Sequence, residues 1–254
     1  MTPDRLVLYR GPSLLDGAPI VAVSAALGRA SGNRKTGDMV QVYVMRSDVP
    51  PTQGIKEGQD ASVCGSCMHR SRASGGAGSC YVNTVRGPLP VWKAWKKTEA
   101  GPTDPTMLQH LLKYRVLRLT AYGDPSAVPL HVWDQAIAAS RGHTGYTHEW
   151  ATLLPEWQRH FMASVDTDLE RELAVEQGWR TFRTMLRSED LAPAERQCPA
   201  TEEGGFLANC AHCRKCDGLT KGAKRPSIGL YVHGNQGDVN SYIRARVALS
   251  ATTS

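Results

Sequence analysis

Seven cysteines in a chain of 254 residues fall into two tight sets, Cys64-x2-Cys67-x12-Cys80 and Cys198-x11-Cys210-x2-Cys213-x2-Cys216. An odd number of thiols at such short spacings points to metal ligation before disulfide pairing, above all in a reducing compartment. A C-x2-C-x2-C run winds three thiolates around one metal core. A remote cysteine followed by proline, here Cys198-Pro199, completes the four-thiolate set of a [4Fe–4S] cluster. The first set, with three thiols, would leave one iron open to a substrate or cofactor. Zinc competes for both sets: two C-x2-C hairpins can form a ribbon, or His69 can join Cys64, Cys67 and Cys80. A redox disulfide is the third option.

Around these sets the chain changes texture twice. Residues 1–60 read as a β-hairpin region, with "APIVAVSAAL" and "DMVQVYVM" flanking a basic turn, "GRASGNRKTG". Lys35-Thr36 in that turn lacks the spacing of a phosphate-binding P-loop and reads as plain turn. Residues 61–187 hold the first cysteine loop and then an alternation of helix and strand. "PVWKAWKKTEA" and "DPTMLQHLLKY", the latter capped by Asp104, precede the strand "RVLRLTAYG". The helix "SAVPLHVWDQAIAAS", the strand "HTGYTH", a small helix at 155–159 and the strand "FMASV" follow. The helix "TDLERELAVEQG" opens on the capping box Thr167-x-x-Glu170 and delivers the strand "WRTFRTML". Residues 188–254 form an irregular cysteine-rich metal loop, 188–226, and a last strand, "SIGLYVHG".

Strands alternating with helices imply parallel pairing and right-handed crossovers. The fold class expected is α/β, a full or partial parallel α/β barrel carrying the N-terminal hairpin and the C-terminal metal loop. In that architecture the active site lies just past the C-terminal strand ends. Those exits read Tyr122-Gly123-Asp124, Tyr146-Thr147-His148, Ser164-Val165-Asp166 and His233-Gly234-Asn235. Tyr, His and Asp at successive exits are the groups a site needs.

Net charge is +6, and the excess is N-terminal: residues 61–98 contain Arg70, Arg72, Arg86, Lys93, Lys96 and Lys97 with no acid. Such a segment suits nucleic acid or a phosphorylated substrate, or it offsets metal-bound thiolates. The longest apolar run, Ile20 to Leu27, is far short of the roughly 20 residues that span a bilayer, so a cytoplasmic protein without membrane contact is expected.

The strand "VQVYVM" followed by "VCGSC…SCY", with "LRLTAYGDP" as the next strand, resembles the radical S-adenosylmethionine (SAM) enzymes. The likeness covers roughly residues 40 to 235. It implies a partial α/β barrel whose three-cysteine loop carries a cluster that chelates SAM, with an auxiliary cluster in a cysteine-rich extension, hence two [4Fe–4S] clusters and an electron donor. Tyr122, Gly123 and Asp124 then stand where the family binds the amino group of SAM. Ser164 and Asp166 are candidates for its ribose or carboxylate, and Tyr146, His148 and His233 for substrate contact. The cysteine spacing differs from the family's x3 then x2, and Tyr122 replaces its first glycine. The cysteine layout is also similar to that of certain bacteriophage proteins, which implies a substrate connected with modified DNA bases.

Two other readings stay open. One is a zinc-stabilised nucleic-acid-binding protein without catalysis. The other is a metal-dependent hydrolase using His148, Asp166 and His233 as ligands.

Overall fold

The computed structural model describes residues 4–25, 27–28, 32–220 and 225–252. Its strands are β1 (Val7–Pro12), β2 (Pro19–Ser24), β3 (Met39–Arg46), β4 (Val116–Tyr122), β5 (Gly142–Thr144), β6 (Tyr146–Thr147), β7 (Met162–Val165), β8 (Thr181–Met185), β9 (Glu195–Gln197) and β10 (Ser227–Tyr231). Its helices are α1 (Pro51–Lys56), α2 (Ala61–Cys64), α3 (Pro88–Lys96), α4 (Pro105–Leu112), α5 (Leu130–Ala139), α6 (Asp168–Glu176), α7 (Cys210–Cys213) and α8 (Gln236–Thr252). None is long and apolar enough to cross a membrane among the described residues.

Local chemistry explains where the helices start. The Asp104 carboxylate accepts from the Thr106 and Met107 backbone N–H groups at 2.8 and 3.3 Å, opening α4. The Thr167 hydroxyl accepts from Glu170 N at 3.0 Å while the Glu170 carboxylate accepts from Thr167 N at 3.0 Å, the reciprocal box that opens α6.

The strands form two five-stranded sheets, ordered β1-β2-β3-β4-β5 and β6-β7-β8-β10-β9. The first is mixed: β1, β2 and β3 run antiparallel, then β3, β4 and β5 parallel. The second is all parallel. The N-terminal hairpin is present, β2 pairing with β3 from Ile20↔Arg46 to Ser24↔Val42, and β1 extends it to a three-stranded meander. Residues 29–31 of its basic turn lie outside the described residues.

Only Gly145 separates β5 from β6, so one run of chain passes from the first sheet to the second. A Cβ at Gly145 would stand 2.6 Å from the Phe161 ring and 3.2 Å from Leu119, so the close approach of the two sheets requires glycine here. Phe161, Leu119 and Trp133 are fully buried around this junction. Among the described residues the sheets do not close into a full barrel. The far side of β3 is taken by antiparallel β2, and that of β10 by β9, so neither strand is free to complete a ring.

The irregular stretch from 188 to 226 carries two short elements, β9 and α7, with residues 221–224 outside the described set. A larger departure from the sequence reading is α8, a 17-residue C-terminal helix beyond the last expected strand.

Candidate functional site

Both sheets wall a single cavity of about 480 Å³. Alternate residues of successive strands face it: Arg118, Thr120 and Tyr122 from β4, Thr144 and Tyr146 across the β5–β6 junction, Ser164 from β7, Phe182 and Thr184 from β8, and Ile228 and Leu230 from β10. A period of two puts these side chains on one face of each strand. All seven cysteines line the same cavity, as do Tyr122, Gly123, Asp124, Tyr146, His148, Ser164, Asp166 and His233.

The two thiol sets approach the strands from opposite ends. Cys64 ends α2, and the Val63 carbonyl beside it accepts from Asp124 N at 2.6 Å, just past the C-terminal end of β4. Gly123, at φ +81°, lets this loop close in; a Cβ there would stand 2.8 Å from Val44. The second set packs on the entry side. Cys210 N donates to Lys35 O at 2.9 Å ahead of β3, and an Arg214 guanidinium nitrogen donates to Arg141 O at 3.1 Å ahead of β5. Gly145 N donates to Cys216 O at 2.9 Å. The Lys35-Thr36 segment, read from sequence as plain turn, is thus the seat of α7. Along β4, Arg118 lies within electrostatic reach of Cys210, and Tyr122 within reach of Cys64. Four residues of strand rise separate those two levels by roughly 13 Å.

Within each set the thiols act on one another. Burial first, then Cys67 and Cys80, push the Cys64 thiol well up, and burial lifts Cys80 to about 11. Burial and then Cys198 lift Cys210 to about 11; Cys216 is pushed up by burial against a hydrogen bond from Tyr146. Burial therefore favours the neutral thiols, and a metal that displaced their protons would hold them as thiolates. No three of the seven sulfurs lie within 4.8 Å of one another, among residues that are all described. Thiolates sharing one zinc ion would stand about 3.8 Å apart, given a Zn–S bond of about 2.3 Å.

Beside the first set is a polar cluster. His69 Nδ1 meets Ser79 Oγ at 2.8 Å, and its Nε2 meets the Asp166 carboxylate at 3.0 Å. The Tyr242 hydroxyl donates to the other Asp166 oxygen at 3.0 Å, and its ring stacks on His69 at 5.3 Å. Burial alone would lower His148, but the Cys67 sulfur that hydrogen-bonds its ring, with Asp166 and Asp124, brings it up to about 10. Burial raises Asp166, and the His69 bond with the nearby charge of His148 more than reverses that. His69, His148 and Asp166 each bring one donor atom within 4.8 Å of the others, a set able to hold a divalent cation.

Several sequence expectations change here. His69 faces Ser79 and Asp166, and the group it enters at metal-ligand spacing is with His148 and Asp166. In the trio proposed from sequence for a hydrolase, His233 is replaced by His69, because His233 lies against Lys35 and the Tyr231 carbonyl. Asp124 is 4% exposed, and its carboxylate accepts four bonds, from Ser126 N at 3.0 Å, Ser126 Oγ at 2.7 Å, Thr147 Oγ1 at 2.8 Å and His148 N at 2.7 Å. It locks β6 to the end of β4, leaving little capacity for a ligand amine. Arg70 and Arg72 donate to carbonyls of the cysteine loop, Arg70 to Cys67 O at 3.2 Å and Arg72 to Ala77 O at 3.3 Å, so part of the basic segment is a brace. Tyr242 and Arg118 carried no sequence expectation. An Asn235 cap, accepting from Asp238 N at 3.0 Å, was the available sign of the helix that brings Tyr242.

Comparison with known proteins returns no matching family model, no matching curated protein and no matching solved structure.

Proposed function

We propose that the chain is an iron–sulfur enzyme of the radical SAM type, with Cys64, Cys67 and Cys80 holding one four-iron cluster and Cys198, Cys210, Cys213 and Cys216 a second. The observation that carries this reading is the convergence of seven thiols, in a three and a four, on one cavity walled by parallel strands. The strands β3, β4, β5 with β6, β7, β8 and β10 then read as an open six-stranded parallel half-barrel, interrupted once at Gly145.

The chemistry that a three-thiolate cluster supplies when it holds SAM is one-electron reductive cleavage, giving a carbon radical that abstracts hydrogen from an unactivated position. The chain's own part is to bind, orient and exclude water. Ser164 on β7 and Asp166 just past its end line the cavity and offer polar groups for the ribose and amino group of SAM, with the Tyr122 ring at the end of β4. The His69–Asp166 bond holds the cysteine loop against the end of β7, Arg70 braces the loop internally, and Asp124 orients His148. Tyr242 seals the wall behind Asp166, and Tyr146 donates to Cys216 at the second set. An external one-electron donor is required. A DNA base or nucleotide as substrate fits the exposed lysines Lys93, on α3, and Lys97, at its C-cap.

A second reading has one observation of its own. His69, His148 and Asp166 converge within 4.8 Å, with the outer atoms of His69 and Asp166 held by Ser79 and Tyr242, as metal ligands are oriented. That arrangement suits a mononuclear hydrolytic centre.

The test is SAM cleavage by anaerobically reconstituted, dithionite-reduced protein. Methionine release that Cys64→Ala abolishes is expected. An iron-loaded, reduced wild type that neither binds SAM nor releases methionine would refute the proposal.

A further inference from the structure

We propose that the cavity contains an oxyanion subsite, built of Arg118, Thr120 and Thr144, that receives the phosphate or carboxylate group of the substrate. Arg118 points from β4 into the cavity, and its Nε is buried without a hydrogen-bond partner. Its one side-chain bond, to the Tyr81 hydroxyl at 3.5 Å, is at the limit of hydrogen bonding. The groups that act on its charge are two phenols, Tyr81 and Tyr146, and the Cys210 thiol; no carboxylate pairs with it among the described residues. A guanidinium offers five donors; here Nε is sealed unpaired while the side chain as a whole stays half-buried at the cavity wall, an arrangement that an arriving anion would complete.

The neighbouring strand supplies what such an anion needs. Thr144 is the register partner of Arg118 across β4 and β5, and Thr120 lies two residues further along the same face. Both threonines are nearly sealed, at 2% and 8% exposure, yet neither hydroxyl bonds to a protein group among the described residues. Both remain open to the cavity. Lys35 adds a second positive charge at this end, with its ammonium against His233. The opposing wall is apolar, formed by Phe182, Ile228 and Leu230. The pocket therefore selects a molecule with an anionic head seated near the second thiol set. Its apolar or aromatic body extends along β4 toward the first. A planar bidentate donor with two flanking hydroxyls matches phosphate and carboxylate alike.

The subsite stands on strand geometry; that its occupant is the substrate rests on the proposed function. The rival role for Arg118 is counter-charge to the Cys210 thiolate. The experiment is calorimetric titration of the full chain, anaerobically reconstituted, with inorganic phosphate and separately with acetate. One anion should bind at a single site, phosphate marking a phosphorylated substrate and acetate a carboxylic one. Arg118→Gln should weaken it about tenfold or more, as for a lost charge-assisted pair, and Arg118→Lys should keep most of the affinity. Thr144→Val, which preserves shape, should weaken it about fivefold and carries the test if the Gln variant does not fold. Failure of both anions to bind a folded, iron-containing wild type overturns the subsite and leaves the iron–sulfur reading intact. Unchanged affinity in Arg118→Gln also overturns it. Arg118-dependent binding to a protein that takes up no iron keeps the subsite and removes the iron–sulfur reading.

Discussion

Replacing Asp124 with Asn tests whether this residue is a lock or a ligand holder. The carboxylate accepts three bonds on one oxygen, from Ser126 N, Ser126 Oγ and Thr147 Oγ1, and one on the other, from His148 N. An amide keeps one accepting oxygen. With that oxygen toward Ser126 and Thr147, its NH2 faces the His148 N–H donor to donor. A buried N–H left unpaired costs about 1–3 kcal/mol, and three bonds that pass from a charged to a neutral acceptor lose about 0.5–1 kcal/mol each. Burial opposes the charge and raises the Asp124 pKa, so neutralisation returns part of this. The net expectation is a loss of about 2–4 kcal/mol. The assay is urea unfolding of wild type and variant at equal metal loading, read as a fall in midpoint at constant slope. A variant within about 0.5 kcal/mol of wild type that has lost SAM affinity would refute the reasoning and return Asp124 to the role its sequence position suggests.

Other outcomes follow from the same contacts. His143 is held down to about 4 by burial and by His160, with its Nε2 donating to the His160 carbonyl at 3.0 Å. The unfolded chain therefore binds the extra proton between about pH 4 and 6.5, and stability rises with pH through that window by about 3 kcal/mol. His143→Gln should lack that increment, and equal acid limbs in both proteins would contradict it. Replacing Cys210, Cys213 or Cys216 with Ser should remove about half the iron and loosen 188–226, because metal organises a loop with little regular structure. Cys67→Ser should instead leave a folded protein without SAM cleavage; identical behaviour of the two classes, read by iron assay and proteolysis, would break the division into two sites. Reversing Lys93 of α3 and Lys97 at its C-cap, both exposed, to Glu should lower DNA affinity and flatten the salt slope by about two. Unchanged binding would make that helix face plain solvated surface.

What sequence conveyed of this fold was local and periodic. Asp104 and the Thr167 box mark helix starts because a single side chain satisfies the first free N–H groups, and the spacing is visible in the chain. The alternating residues of β4 and β7 mark strands for the same reason. α8 escaped because among its residues of described burial the buried ones are Tyr242, Ala245 and Arg246, with Ile243 and Val247 exposed, so no apolar stripe advertises it there. Closure was also beyond reach, since nothing in β3 or β10 announces that β2 and β9 occupy their outer sides. In the cavity, strand-exit reasoning found residues past strand ends but passed over Arg118, inside β4, and Thr144, the last residue of β5. An acid after a strand looks alike in sequence whether it faces a substrate or, like Asp124, caps the turn at Pro125–Ala127. The pairing of His148 with His69 instead of His233 depends on how far the cysteine loop folds back, which spacing does not encode.

The central claim is that these seven thiols hold iron–sulfur clusters. It is tested most directly by iron, zinc and acid-labile sulfide analysis of anaerobically purified protein with its absorption spectrum. A brown protein with broad absorption near about 400 nm, about eight irons and matching sulfide per chain is expected. A colourless protein with stoichiometric zinc and no sulfide would contradict it.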